Sequence, residues 1–560
     1  MTDTVFKDFV GKFCESAEEL QKKLEQAAMN PFLFQKIMDN LSKTVREDES
    51  VKFAVFFTCF SAYTKEPLNT FIRGPPSTGK SYGCVQTCQC FPEKDILNIG
   101  SGSPKFLIRQ QGVLVDSSGE PFIMERPDRP RKSEYREAED YREAVRSFKT
   151  EMKQYNDKVA ETHTLIDLSG KTLVFLESPS LELFNMLRPI LSHDKEEMNF
   201  PYVDKDSKGK IRTINVTVRG WPASIFLKAE DQYIEELATR SFTISPVESK
   251  NKYGAGNEVT NEFASFPWKK DEIEHYRKEV QTFIDYLKRE IKDKQYILPF
   301  ALNEAYPHDL PRDMRDFSHL LQLIQCVTLL HAKQRVILVH DEKEFIVSSF
   351  KDVEFAFCKF REIFETTRTG LSQHILSFYH KIVKEMPIDT ESITVEGKRK
   401  PWRTGELVNK YNVIFSPRRS RRTILRYLEL LEEIGYVSSG EDADDKRSSI
   451  WTALVQETKE NCALNDFDQT LKDLKPKLEP SLKKWLEQLG HTNAQFYTEK
   501  INTEPQWLSW NQVEEILLCQ ETNQCHDLVK LETRLKTDLT VKASVVEGKT
   551  QDAQSSGEVE

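Results

Sequence analysis

The sequence has no long hydrophobic run and no secretory signature. In its 560 residues, no window approaches the roughly 18 apolar residues that cross a bilayer. Residues 1–10 lack the basic start and the apolar core of a signal peptide. We therefore expect a cytoplasmic protein with no membrane partner.

Cysteine and histidine are present, but not in the spacings that bind zinc. The ten cysteines include no C-x-x-C pair and the histidines show no ligand spacing, which argues against a disulfide framework and a zinc ribbon. Cys84, Cys88 and Cys90 form the only tight group, and we interpret them as small buried side chains. His193 is interpreted as structural.

An excess of positive charge is also missing. The net charge is −10, which argues against a protein that coats nucleic acid with its whole surface but allows local basic patches. The length predicts about three or four domains.

The strongest positive signal is a phosphate loop. Residues 74–81 match G-x-x-x-x-G-K-[ST] and follow a strand-like segment at 69–73. In such a loop the backbone N–H groups cradle phosphate oxygens, the lysine reaches the β- and γ-phosphates, and the last hydroxyl binds Mg²⁺. The loop consists of Gly74, Pro75, Pro76, Ser77, Thr78, Gly79, Lys80 and Ser81. It predicts that ATP is bound through Lys80 and Mg²⁺ through Ser81.

Hydrolysis also requires a carboxylate on a second strand. The run 172–176 predicts that strand, and Glu177 follows it. We interpret Glu177 either as the base that activates water or as a residue that serves both water and metal. Such strands usually end in Asp-Glu, whereas Leu176 stands in the first position here, so the rate of hydrolysis stays open.

Two further segments carry local positive charge. Residues 205–221 predict a β-hairpin whose tip contains Lys208 and Lys210. From residue 398 to 426 there are ten basic residues and one acidic residue, in a pattern of helix, helix and two-stranded wing that predicts a winged helix-turn-helix. The basic residues that we expect to contact DNA there are Arg418, Arg419, Arg421, Arg422 and Arg426.

The order of these parts resembles the AAA+ ATPases, and most closely the presensor-hairpin group that includes the MCM helicases. The resemblance covers residues 50–335, and MCM proteins also carry a winged helix where 400–455 lies. It implies an α/β AAA+ P-loop core with a helical lid. The implied segments are a helical lead-in (1–48), the core (49–250) with a charged helical insertion (126–162), the lid (251–396), the winged helix-turn-helix (397–456), a helical C-terminal segment (457–540) and a disordered tail (541–560).

The resemblance also implies roles for single residues. Arg240, in Ala-Thr-Arg-Ser-Phe, corresponds to the arginine finger that reaches a neighbouring subunit. Arg315 corresponds to the sensor-two arginine of the lid, and Lys228 ends the strand where a polar sensor-one residue usually stands. Lys208 and Lys210 correspond to the hairpin tip that grips the nucleic-acid backbone in a central channel.

The sequence thus favours an ATP-driven DNA helicase or translocase that works as a homo-oligomeric, hexameric ring. Two alternatives stay open: a nucleotide-gated DNA-binding initiator or loader, and a non-hydrolysing regulator in which ATP is structural. A transcription activator of the AAA+ class is less favoured because the Gly-Ala-Phe-Thr-Gly-Ala loop is missing. The insertion at 126–162 is interpreted as a helical hairpin or as one long solvated helix.

Overall fold

A computed structural model describes most of the chain between its two ends. The described residues are 17–100, 112–116, 118–135, 137–160, 162–177, 181–205, 211–228, 240–292, 294–306, 312–384, 401–415, 418–441, 449–454, 462–499 and 505–518. The predicted hairpin tip with Lys208 and Lys210 and the predicted tail lie outside these residues.

The described elements are mainly helices, with strands between them. The helices are α1 (Ala17–Ala28), α2 (Leu33–Leu41), α3 (Glu49–Ser61), α4 (Lys80–Cys88), α5 (Ala138–Ala160), α6 (Leu181–Leu191), α7 (Lys250–Ser265), α8 (Lys269–Ile291), α9 (Asp313–Leu330), α10 (Phe350–Thr369), α11 (Gln373–Phe378), α12 (Thr404–Ile414), α13 (Arg421–Glu433), α14 (Cys462–Leu489) and α15 (Trp510–Leu518). The strands are β1 (Asn69–Arg73), β2 (Ile96–Ile99), β3 (Val113–Val115), β4 (His163–Asp167), β5 (Thr172–Phe175), β6 (Glu197–Lys205), β7 (Ile211–Arg219), β8 (Ala223–Lys228), β9 (Phe242–Ile244), β10 (Gln295–Ile297), β11 (Val336–His340), β12 (Lys343–Val347), β13 (Trp402–Arg403), β14 (Val437–Glu441), β15 (Ser449–Ala453), β16 (Gln495–Thr498) and β17 (Gln506–Leu508). A π-helical turn, Tyr379–Val383, continues α11.

The chain divides into two compact units. The smaller unit comprises Thr58–Ser81 and Glu93–Phe242, and the larger unit comprises Met1–Phe57, Tyr82–Pro92 and Thr243–Glu560. The boundary falls within α3, α4 and β9, so these elements contribute residues to both units.

A parallel sheet is the centre of the smaller unit. Its strands β2, β5, β8 and β1 lie side by side in that order, and every neighbouring pair is parallel. Strands β1 and β5 are buried along their whole length, as expected for a parallel sheet that is covered on both faces. The rings of Phe175 and Phe226 stack at 4.8 Å across β5 and β8, and α6 adds its leucines to this core.

A second sheet of the smaller unit contains the predicted hairpin. Its order is β3-β4-β7-β6, and β6 and β7 are antiparallel from the pair Glu197 and Arg219 to the pair Lys205 and Ile211. The hairpin is confirmed, but its first strand begins eight residues earlier than the predicted start at 205. Pro201 argued against a strand in the sequence, because proline has no N–H to donate. At the edge of a sheet one side of the strand is unpaired, so proline is tolerated there.

The charged insertion contains one long helix rather than a helical hairpin. Helix α5 has 23 residues, and its apolar positions are only half covered. The segment before α5 runs antiparallel to it. The ring of Phe122 lies 6.0 Å from that of Tyr155, near the end of the helix, and the ring of Tyr135 lies 6.0 Å from that of Tyr141, near its start.

The larger unit contains a mixed sheet that the sequence did not predict. Its order is β10-β12-β11-β16-β17, so strands lie in the segments 251–396 and 457–540 that were expected to be helical. Strand β16 pairs antiparallel with β11, with Val336 opposite Thr498. Within the segment expected to be helical, α9 ends at Leu330 and the β-branched run of β11 begins at Val336.

The described residues between 371 and 454 include a further core within the larger unit. Helices α11, α12 and α13 pack with a three-stranded antiparallel sheet of order β13-β15-β14. This core includes Leu376, which lies before the predicted boundary at 397. Helix α12 extends to Ile414 and α13 begins at Arg421, so Arg418 and Arg419 precede the helix instead of lying in its first turn.

Among the described residues, no helix combines the length and the apolar character that a membrane span requires.

Candidate nucleotide-binding site

The phosphate loop lies at the carboxyl end of the buried strand β1. Gly74 follows Arg73 directly, and α4 begins at Lys80, so the loop joins a strand to the N-terminus of a helix. This is the context in which backbone N–H groups and the helix dipole favour an anion. Ser81 is exposed in the first turn of α4.

The loop backbone has an unusual conformation. Ser77 has φ 66° and Gly79 has φ 87°. The left-handed region is costly for a residue with a Cβ atom and is found mainly at functional sites. When left-handed residues alternate with right-handed ones, successive backbone N–H groups point into one concavity, and such a concavity binds phosphate oxygens.

Two side chains close the loop on itself. The Lys80 ammonium donates to the carbonyl oxygens of Gly74 and Pro75, both at 2.5 Å. The buried Thr78 hydroxyl donates to the Pro75 carbonyl at 2.9 Å. Lys80 is thereby held over the loop, where it can exchange these carbonyl contacts for phosphate oxygens.

The register of the sheet brings Glu177 and Lys228 to the same edge. Arg73 is opposite Lys228, and Phe226 is opposite Phe175. Glu177 stands two residues beyond Phe175, as Lys228 stands two residues beyond Phe226, so both are level with the start of the phosphate loop. Because β5 and β1 are separated by one strand, their backbones are about 10 Å apart. The Glu177 side chain is exposed.

The donor set suits a metal that is bound mainly through phosphate. Among the described residues, no cluster of three or more His, Cys, Asp or Glu side chains could hold a metal ion. Mg²⁺ commonly takes one or two protein oxygens together with substrate phosphates and water. The exposed Ser81 hydroxyl and the Glu177 carboxylate fit that role, and a divalent ion there would neutralise phosphate charge.

Arg240 contacts the turn that follows α6. Its guanidinium donates to the Ser192 carbonyl at 3.1 Å and lies 3.5 Å from the Asp194 carboxylate. The Ser192 hydroxyl also donates to Asp194, and this bond, with the charge of Arg240, lowers the pKa of Asp194. Sequence reasoning did not identify Asp194 as a partner of Arg240.

Arg315 lies in the larger unit, on the exposed side of the first turn of α9. Its neighbour Arg312 pairs with the buried Asp316 at 3.0 Å.

The basic residues beside α13 divide into two groups. Arg418, Arg421, Arg422 and Arg426 are exposed, and Arg426 makes only a surface pair with Glu429 at 3.4 Å. The Ser420 side chain caps the helix by accepting from the Thr423 N–H at 3.2 Å. The N-terminus of α13 is therefore both well formed and strongly basic.

Arg419 differs from the other four. Its guanidinium donates to Glu248 at 2.9 Å, and the Glu248 side chain is only 6% exposed. Asn412 accepts from the Arg419 N–H at 2.7 Å and donates to its carbonyl at 3.1 Å. The structure therefore gives Arg419 an intramolecular partner, and its predicted contact with DNA stays a prediction. Sequence reasoning did not identify Glu248, because it lies 171 residues away.

The three cysteines beside the loop are buried, as the sequence predicted. Burial raises the pKa of Cys90 to about 12. A hydrogen bond with Cys88 and burial raise the pKa of Cys84, so these thiols stay protonated and unreactive.

Comparisons with known proteins give only distant likenesses. No protein-family profile matches the sequence, and no curated protein matches it. A protein of Cytophaga hutchinsonii assigned as an ATPase shares 9% identity over 67% of this chain and 98% of its own, with a TM-score of 0.30. The active helicase Cch of SCCmec type IV shares 10% identity over 78% of this chain and 71% of its own, with a TM-score of 0.24. The Aeropyrum pernix ORC1 protein, solved with DNA, shares 10% identity over 76% of this chain and 93% of its own, with a TM-score of 0.18. At these TM-scores the likenesses carry no argument about function, which rests on the site itself.

Proposed function

We propose that this chain is an AAA+ ATPase that hydrolyses ATP to move along or unwind DNA, working in the cytoplasm as a ring of identical subunits. The observation that carries the proposal is the phosphate loop at the carboxyl end of β1, with Glu177 level with it on the same sheet edge. This edge is where open α/β sheets bind ligands. Strand β8 lies between the loop strand and the Glu177 strand.

The residues then have distinct tasks in hydrolysis. The loop N–H groups and Lys80 bind the β- and γ-phosphates, and Ser81 provides an oxygen for Mg²⁺. Glu177 accepts a proton from the attacking water, and Lys228 and Arg315 sense the terminal phosphate. Hydrolysis is mainly a matter of placing positive charge around the transferred group.

Arg240 acts across the subunit interface in this proposal. A guanidinium from the next subunit stabilises the charge of the transition state and can raise turnover about 10³-fold or more. The finger must then leave its contacts with Asp194 and Ser192 when the ring forms. This coupling makes turnover depend on assembly.

DNA is the proposed partner of two surfaces. The exposed arginines beside α13 supply cations at the N-terminus of the second long helix of a winged helix-turn-helix, which is the part of such a fold that meets a DNA groove. The hairpin of β6 and β7 carries Lys208 and Lys210 at its tip in the sequence, where they would contact the DNA backbone.

A subunit-mixing experiment tests the proposal. We expect Lys80→Ala to lose ATP binding, and Glu177→Gln to bind ATP but turn over at least 100-fold more slowly. Arg240→Ala should bind ATP and be equally slow. Mixing the Lys80→Ala and Arg240→Ala proteins should restore part of the DNA-stimulated turnover, because an intact loop then meets an intact finger from its neighbour. Arg219→Ala removes the same charge from a surface pair with Asp167 and serves as the matched control.

The outcomes separate the alternatives. If mixing restores no turnover although both proteins assemble by mass photometry in ATP, Arg240 does not act in trans. If the wild type binds ATP and DNA as a monomer or dimer without turnover, the protein is a nucleotide-gated DNA-binding initiator or a non-hydrolysing regulator, and the motor proposal is wrong.

A further inference from the structure

The insertion contains an open depression that the proposed nucleotide and DNA sites do not use. It lies between residues 128–135 and the N-terminal half of α5, and it has a volume of about 1080 Å³. Its lining contains three cationic, three acidic and three aromatic side chains, and it belongs entirely to the smaller unit.

The cations come from one short segment, residues 126–132, which we call the basic ribbon. It contains four basic residues and one acidic residue. Arg129, Arg131 and Lys132 line the depression. Within the part of the chain that the structure describes, none of these three side chains has an ion pair. Like charges this close repel one another unless an anion joins them.

The basic ribbon is also conformationally restricted. Pro127 and Pro130 fix two of its φ angles, and residues 122–131 have no regular secondary structure. A preorganised segment loses less entropy when a ligand binds.

Two of the three carboxylates in the wall are engaged in local hydrogen bonds. Glu134 accepts from the Arg131 backbone N–H at 3.2 Å, and Glu151 accepts from the Ser147 hydroxyl at 2.7 Å. The remaining carboxylate, Asp128, is exposed. The lining thus has as many carboxylates as cations, but its cations are concentrated on the basic ribbon, where Asp128 is the one acidic residue.

The floor of the depression offers aromatic faces. Tyr135, Tyr141 and Phe148 line it and are half buried. The rings of Tyr135 and Tyr141 are 6.0 Å apart, and Phe148 follows Tyr141 by about 10 Å along the helix. Unstacked bases bind such rings, whereas bases inside a duplex cannot reach them.

We propose that this depression binds single-stranded DNA, with phosphates on the basic ribbon and bases against the three rings. The inference rests on the proposed function only in taking DNA as the partner, and the site is distinct from the hairpin tip and from α13. It assigns a role to the insertion as a guide for one DNA strand.

The test compares two triple variants that lose the same charge. Arg129→Ala/Arg131→Ala/Lys132→Ala removes the cations of the depression. Arg146→Ala/Lys153→Ala/Lys158→Ala removes three cations of α5 that do not line it. Affinity for a fluorescent 30-nucleotide oligo-dT and for a duplex of the same length is measured by anisotropy at several salt concentrations without ATP. A third variant, Phe148→Leu, removes one ring but keeps an apolar side chain.

We expect the first triple variant to bind oligo-dT at least tenfold more weakly and its salt slope to decrease by about 2, at about 0.7 for each lost phosphate contact. Phe148→Leu should weaken oligo-dT binding with an unchanged salt slope. The control triple variant should match the wild type, and duplex affinity should stay constant in all three variants.

Equal losses for the two triple variants, or an equal loss for duplex and oligo-dT, would show a nonspecific charge effect and overturn the proposal. Competition by poly-glutamate as strong as that by oligo-dT would instead indicate an acidic protein partner. Basal ATP turnover is measured in parallel, so a protein without ATPase activity can still confirm or refute this site.

Discussion

Arg419 and Arg421 stand two positions apart but have different surroundings. Arg419 pairs with the buried Glu248, whose carboxylate also lies 3.9 Å from the His374 imidazole. Arg421 is exposed in the first turn of α13. Identical side chains therefore make a stability site and a candidate DNA contact within one short segment.

Truncation should separate these two roles. We expect Arg419→Ala to lower the free energy of unfolding by about 2 kcal/mol, because it leaves a carboxylate buried without its cation. Arg421→Ala should leave stability unchanged and weaken duplex DNA binding. Urea unfolding and DNA titration of both variants check this, and a destabilised Arg421→Ala protein would contradict it.

A second residue-scale prediction concerns Asp352 and its dependence on pH. Asp352 is 1% exposed and accepts from Arg335 at 2.7 and 2.5 Å. Burial is the largest single influence and would raise its pKa, but the Arg335 guanidinium, together with His331 and the Ser349 N–H, holds the pKa below the ordinary 3.8. Such a carboxylate contributes stability above its ordinary pKa, and this contribution is lost as pH falls through the lowered value.

We therefore expect Asp352→Asn to lose about 3 kcal/mol at pH 7 and less at pH 3, which lies below the ordinary pKa of 3.8. The nearby His331 is buried and its pKa is lowered to about 4, so acid also destabilises the wild type through this imidazole. Because Asp352 itself raises the pKa of His331, this effect does not cancel between the two proteins, and both are compared in a His331→Asn background. If the difference in free energy of unfolding between the two proteins stays constant from pH 7 to pH 3, the pKa of Asp352 is not responsible for it.

At the scale of elements, the turn between β7 and β8 connects the hairpin to the sheet that bears the site. Gly220 has φ 86°, and a Cβ there would meet the Ser169 nitrogen at 2.5 Å and its Cα at 2.9 Å. The Gly220 N–H also donates to the Glu196 carbonyl at 2.8 Å. These Ser169 atoms belong to the backbone, so they cannot make room for a Cβ by a change of rotamer.

Gly220→Ala should lower the free energy of unfolding by about 3 kcal/mol, since overpacking adds to the strain of a positive φ. Gly119 provides the control because it has φ 87° but no atom within 4 Å of the point that a Cβ would occupy. Gly119→Ala should cost only about 1 kcal/mol. If thermal melts show that both substitutions lower the free energy of unfolding equally, the close approach of Ser169 does not contribute to the loss.

Elements defined by local patterns could be predicted from the sequence, and elements defined by distant partners could not. The phosphate loop is a contiguous motif, and β7 has the alternating, β-branched composition of a strand. Strands β16 and β17 are three or four residues long and lie between helices. They are defined by their pairing, β16 with β11 and β17 with β16. No local pattern specifies such a pairing.

The candidate site divides in the same way. Glu177 and Lys228 follow recognisable strands, and parallel pairing brings both to the edge where the phosphate loop lies. The Asp194 partner of Arg240 depends on a turn after α6, and the Glu248 partner of Arg419 depends on tertiary packing. Neither carboxylate has a distinguishing sequence context.

At the scale of the whole molecule, the C-terminal segment belongs to the larger unit rather than forming a separate module. Phe496 of β16 is 2% exposed and its ring lies 6.2 Å from that of Trp485 and 5.2 Å from that of Trp510. Lys333 also forms ion pairs with Glu499 at 2.6 Å and with Glu290 at 2.5 Å.

Removal of residues 457–560 should therefore destabilise the larger unit. We expect the amides of Val336–His340 to exchange with deuterium much faster, because β11 loses its β16 neighbour and becomes an edge strand. Amides of β5 in the smaller unit should stay protected. Unchanged exchange in β11 would show that the C-terminal strands contribute little.

The pairing of β11 with β16 also sets an order of events during synthesis. Strand β11 cannot pair with β16 until Thr498 has been synthesised, about 160 residues after its partner Val336. At about 5–20 residues per second, this takes roughly 10–30 s. During that interval one side of β11 has no strand beside it, while the smaller unit is already complete in sequence. A chaperone that engages the nascent chain would find its binding segment there, and the growing protein would be most prone to aggregate in those seconds.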